Sequence, residues 1–120
     1  MKNENEQQLH QIEISLENAK KAIELGDSLE RLHKNPDFKR IILDDFFKEE
    51  ASRAVMLKSD PNMLGEEQQV TVDNIITSIG GLYQYFAKVY RLADMSVRAL
   101  EANQQTREEL LEEGLTEDEL

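Results

Sequence analysis

Few residues in this chain have the type and spacing to do chemistry. Glu30 and His33 are three positions apart, the Glu-x-x-His spacing that carboxylate-bridged di-metal bundles place on each of two helices. Such a centre needs the motif twice, and the sequence supplies it once, with no cysteine to offer a thiolate instead. His10, four residues after Glu6, reads as a surface residue. Asp44, Asp45, Glu49 and Glu50 gather around Phe46 and Phe47, and carboxylates beside aromatics are used elsewhere for general acid–base work. Lys48 and Arg53 stand within one helical turn of these acids, so ion pairing on a solvated face accounts for the same letters. There is no glycine-rich phosphate loop after a strand, no nucleophile elbow and no Ser/His/Asp set. The expectation is a protein that is not an enzyme, with no metal and no cofactor.

A third group of residues suits ligand capture rather than catalysis. Lys48, Arg53 and Arg91 can meet an anion, and Tyr83 and Tyr90 can stack on a base. Symmetry in an oligomer would multiply any inward-facing member of this set, making an anionic-ligand pocket for a nucleotide. Tyrosines and arginines at helical spacing serve packing and surface ion pairs equally well.

The elements that must position these residues read as three helices, at about 4–34, 36–58 and 66–105. The third organises the chain. Val72, Ile75, Ile79, Leu82, Phe86, Val89 and Ala93 alternate steps of three and four, with Val97 and Leu100 following, which draws one apolar stripe along a helix. Ile76, Tyr83 and Tyr90 widen that stripe toward a second neighbour. A helix of this length, about 60 Å at 1.5 Å per residue, is more rod than a compact monomer needs. Gly80-Gly81 interrupts it while the stripe stays in phase, which predicts close packing of a crossing helix over a kink.

In the first helix Leu9, Ile12, Leu16, Ala19, Ile23 and Gly26 form a short heptad-like seam. After Ile23 the apolar line shifts to Leu25, Leu29 and Leu32, as if re-aimed at a different partner. Asn35-Pro36 ends that helix and caps the next, since the residue before a proline avoids helical geometry and proline suits a first turn. Phe38, Ile41, Ile42, Phe46, Ala51, Ala54 and Val55 are the expected core face of the second helix; Leu43, Phe47 and Leu57 lie off it, which predicts a helix contacted on more than one side. Ser59-Asp60-Pro61-Asn62 ends it by the same proline logic.

The resulting expectation is one all-α domain over residues 1–106: a three-helix bundle with long antiparallel first and third helices, assembled as a homo-oligomer by coiled-coil-like packing. Its oligomer and core interface falls on Leu9, Ile12, Leu16, Ile23, Phe46, Phe47, Ile79, Gly80, Gly81, Leu82, Phe86 and Val89. Residues 107–120 form an acidic extension, partly helical to about Glu113 and Gly114, then frayed or disordered from Thr116.

Charge narrows the partners. The net charge is −11, and the last 14 residues hold seven acids against one base, leaving a mildly acidic body. With no cluster of Lys and Arg to displace counterions, direct binding to DNA or RNA is not expected. Mimicry of DNA would need acids spread along the folded body, whereas here they crowd at the tail. MKNENEQQ carries no apolar signal-peptide core, and no run approaches a membrane span. A soluble protein of the cytoplasm is expected.

The motifs NPDFK at 35–39, FFKEEA at 46–51, MLKSDPNM at 56–63 and IGGLYQYF at 79–86 resemble those of small helical proteins encoded by tailed bacteriophages. The resemblance covers roughly residues 29–105 and implies a phage origin and a helical fold. The group has no generally assigned activity, so no site residue is carried over. Phage proteins of this size serve as virion assembly or accessory components, or act against host defence. Together with the surplus apolar stripe, which calls for burial between subunits, this gives the expectation of a structural, assembly or accessory protein acting through contacts with itself and with phage or host proteins, in the host cytoplasm or on the virion. The alternative is an anti-defence protein that sequesters a nucleotide signal or blocks a host protein.

Overall fold

The structure is a computed structural model. It describes the backbone of residues 2–119 and the side-chain surroundings of residues 4–9 and 16–114. Every element in it is helical. Helix α1 spans Lys2–His33, α2 is the short turn Pro36–Phe38, and a π-helix, π1, spans Lys39–Glu50. Helix α3 covers Ala51–Lys58, a 3-10 turn Pro61–Met63, and α4 runs from Glu66 to Glu119. No helix among the described residues is long and apolar enough to cross a membrane.

The breaks fall where proline puts them. The Asn35 side-chain oxygen accepts hydrogen bonds from the backbone N–H groups of Asp37 and Phe38, at 2.9 and 3.2 Å, and Pro36 occupies the first turn. Asp60 repeats the device, accepting from the Asn62 N–H at 2.9 Å with Pro61 next to it. Gln69 on α4 holds the loop from the other side. Its Nε2 donates to the carbonyls of Lys58 and Met63, at 3.2 and 2.7 Å.

The segment 36–58 is one helical run, but its winding changes. Through π1 and into α3, burial keeps a strict repeat of four: residues 42 and 43, 46 and 47, and 50 and 51 face inward, while 44 and 45, and 48 and 49, face outward. In an α-helix each step of four advances a face by about 40°. The wider i→i+5 winding of π1 takes up that advance and keeps both phenylalanines on one side. The expected core face is corrected at two residues, Ile41 on π1 and Val55 on α3, which are exposed. Leu43, Phe47 and Leu57 are half-buried, as a helix contacted on more than one side requires.

Contacts divide the chain into two compact units, Met1–Asp27 with Val89–Leu120, and Ser28–Lys88. In the first unit Leu9 and Leu16 are half-buried, Ala19 is buried and Ile23 is half-buried; the side chain of Ile12 lies outside the described residues, as does that of His10. Gly26 is the tightest point. A Cβ built there would lie 2.6 Å from the Cβ of Ala93, closer than any two carbons settle. Val89 is buried on the same side of α4, and the stripe passes through half-buried Ala93, Ser96 and Leu100, with Val97 exposed instead.

The expected shift of the apolar line after Ile23 does not occur. In the first unit Leu25 is exposed while Gly26 is buried. In the second, Leu29 is buried and Leu32 exposed, so the original line continues. The misplaced residues are Leu25 and Leu32, apolar by letter but standing on the exposed side of the helix, whereas Gly26 already belonged to the expected seam.

Helix α4 also departs from expectation at two places. It continues through Gly114 to Glu119, past the end expected near 105 to 113, and Leu120 lies outside the described residues. Gly80 and Gly81 lie within continuous helix and are exposed, and a Cβ on either would meet nothing within 4 Å. Neither packs closely against a neighbour in the chain; the close approach is at Gly26.

Candidate interaction surface

The second unit is built on aromatic rings. Phe38, from the turn after the Asn35 cap, stands 5.3 Å from the His33 ring and 5.9 Å from Phe86 on α4. His33 meets Phe86 edge-on at 5.8 Å, and its Nδ1–H donates to the Leu29 carbonyl at 2.8 Å. Phe47 packs edge-on to Phe86 at 5.9 Å and to Tyr83 at 5.6 Å, with Phe46 beside it at 5.8 Å. Each such pair contributes about 0.5–1.5 kcal/mol beyond its burial. Below the rings Ala54, Val72 and Ile79 are buried, and Lys58 forms an ion pair with Asp73 across the two segments.

This packing buries one side of α4 and touches the adjoining flank at Tyr83. Val72, Ile75, Ile79, Leu82 and Phe86 turn inward as their spacing requires. Next to them lies the flank made by Ile76, Gly80, Tyr83 and Ala87, all exposed, with Ile76 at 37% and Tyr83 at 58%. On the opposite flank an open groove of about 430 Å³ is lined by Phe46, Glu50, Thr71, Asn74, Ile75, Ser78 and Ile79. Its floor is apolar and its rim is made of hydroxyls, an amide and one carboxylate. Of the expected interface residues in this unit, Ile79 is buried, Phe46, Phe47, Leu82 and Phe86 are half-buried, and the two glycines are exposed.

The residues considered for ligand capture do not line that groove. Lys48 pairs with Asp44 at 3.8 Å and Arg53 with Glu50, one turn away in each case, the pairing that the spacing of the acids implied. The carboxylate in the groove is thus already engaged, and no base lines its walls. Tyr83 belongs to this unit but faces the other flank, while Tyr90 and Arg91 belong to the first unit. His33, the candidate ligand of Glu30-x-x-His33, is committed to the aromatic cluster. Glu30 pairs with Lys34 at 4.0 Å. Among the described residues no group of three or more His, Cys, Asp or Glu side chains is placed to hold a metal ion.

The groove residues Thr71, Asn74 and Ser78 went unnoticed in the sequence. Their signal was a polar line one step behind Val72, Ile75 and Ile79, indistinguishable by letter from any solvated helix face. Ile76 and Tyr83, by contrast, were legible as surplus to a single apolar stripe.

No family model, curated protein or solved structure matches this chain.

Proposed function

We propose that the chain is a non-enzymatic phage structural, assembly or accessory protein that works by self-association and by contacts with other proteins. Each copy is a three-helix bundle, α1 and α4 antiparallel with the segment 36–58 packed across them. The surplus apolar surface is covered between copies. One observation carries the reading. In the second unit Ile76 and Tyr83 stand exposed along α4 beside the covered stripe, together with Ile41, Val55, Met56, Leu64 and Val70. Against these, its fully packed side chains are only Leu29, Ala54, Val72 and Ile79. Scattered exposed apolar residues are ordinary, but Ile76 and Tyr83 stand two turns apart on one helix flank with only Gly80 and Ala87 on it besides, and such a flank suits a partner.

The test is light scattering on the purified chain at tens of micromolar, joined to mass spectrometry of purified virions for the phage assignment. A chain that self-associates and is recovered with virions or assembly intermediates supports the reading; one that does neither removes it. The alternative, an anti-defence protein that sequesters a nucleotide signal, draws on the exposed face of Tyr83, which stands on Phe47 and is open to a stacking base. A thermal shift with cyclic or ADP-ribose-type nucleotides, lost in Tyr83→Ala, would favour it.

A further inference from the structure

We propose that this chain pairs with a second copy of itself along the flank of α4 that carries Ile76, Gly80, Tyr83 and Ala87. The two helices run antiparallel about a two-fold axis between Gly80 and Tyr83. The proposal rests on the self-association put forward above and adds the face, the orientation and the register.

Three observations lead there. These four residues follow steps of four, three and four, the spacing of a helix-pairing seam. All are exposed, Tyr83 resting one edge of its ring on Phe47 and leaving the rest open, and the helix they sit on is packed along its neighbouring face, so the backbone of the seam is held in place. Second, the seam alternates large and small. In an antiparallel pair centred between Gly80 and Tyr83, each Tyr83 lies over the Gly80 of the second copy and each Ile76 over its Ala87. Every large side chain then meets a small one, and the pattern is its own complement, as a two-fold interface requires. The space above Gly80 is open, since a Cβ there touches nothing within 4 Å. Glycine at that point lets the axes approach to the near end of the usual 8–10 Å range.

The third observation is charge. Before the glycines α4 carries Glu66, Glu67 and Asp73 and no base, Asp73 being paired with Lys58; after them, as far as Arg98, it carries Lys88, Arg91 and Arg98 against the single acid Asp94, which pairs with Arg98 at 3.2 Å and leaves Lys88 and Arg91 as the surplus. Antiparallel pairing sets the acidic half of one copy beside the basic half of the other. Parallel pairing would set like against like, at a cost in affinity. The size pattern and the charge pattern therefore select the same orientation independently.

The test compares sedimentation velocity of the full chain with that of Gly80→Leu and Gly81→Leu, over a range of concentrations, with circular dichroism confirming that each is helical. Gly81 is the control because its Cβ also meets nothing within 4 Å, yet it projects about 100° away from the seam. Expected is a self-associating wild type, a Gly80→Leu variant weakened by about tenfold or more, and a Gly81→Leu variant that associates as the wild type does. If the wild type associates and Gly80→Leu does so equally well, this face is wrong while self-association stands. If both variants lose association together, the effect belongs to the helix rather than the seam, and the proposal falls. A monomeric wild type overturns both the self-association and the face.

Discussion

Replacing Gly26 by alanine tests the packing of the first unit at its tightest point. A new Cβ would sit 2.6 Å from the Cβ of Ala93. Carbon atoms in contact settle about 3.5–4.0 Å apart, so α1 and α4 must part locally by about 1 Å or distort. Overpacking of this kind costs about 1–3 kcal/mol. Alanine also gains about 1 kcal/mol of helix propensity over glycine, which partly masks the cost. Gly81→Ala supplies the correction, because it gains the same propensity while its Cβ meets nothing within 4 Å. The difference between the two variants should therefore be about 1–3 kcal/mol, Gly81→Ala being the more stable. Urea unfolding followed by circular dichroism, at one fixed protein concentration, measures it. If both alanines stabilise the protein equally, Gly26 is not pressed against Ala93, and the account of that unit fails.

Three further outcomes follow from the second unit. Asn35→Ala removes the acceptor for two backbone N–H groups and should lower stability by about 1 kcal/mol, with Asn35→Asp retaining most of it. Phe47→Ala strips the ring that Tyr83, Phe86 and Phe46 all contact. Because Phe47 is half-buried, the loss should fall short of that for a core phenylalanine, at about 2 kcal/mol in thermal or urea unfolding. Asp73→Asn breaks the pair with Lys58, which is half exposed on both sides. The loss should be under about 1 kcal/mol and should shrink as salt is raised; a large, salt-independent loss would contradict the reading.

Much of the fold was legible because two different signals agreed. Proline marks both breaks, with a capping residue legible at Asn35 and the Asp60 cap seen only in the structure, and the three-four stripe from Val72 to Ala93 is the side of α4 that packs. The misreadings share a physical cause: an apolar letter does not by itself bury its side chain, and a period that is assumed puts it on the wrong face. Leu25 and Leu32 drew the expected line of α1 away from the seam on which Gly26 stands, and an α-helical period put Ile41 on the core face of a segment wound more widely, while Val55 is exposed on the α-helical α3. Gly80-Gly81 was noticed for close packing, but a glycine pair says nothing of which partner approaches. The groove beside Phe46 was illegible for a similar reason, since its hydroxyl and amide rim spells an ordinary solvated helix face.

The claim on which the function depends is that one copy leaves apolar helix surface that a second copy covers. Equilibrium sedimentation of the wild-type chain across nanomolar to tens of micromolar concentrations addresses it most directly. The account predicts a mass rising from 13.9 kDa to an integral multiple of it. A mass fixed at that of the single chain throughout would contradict it.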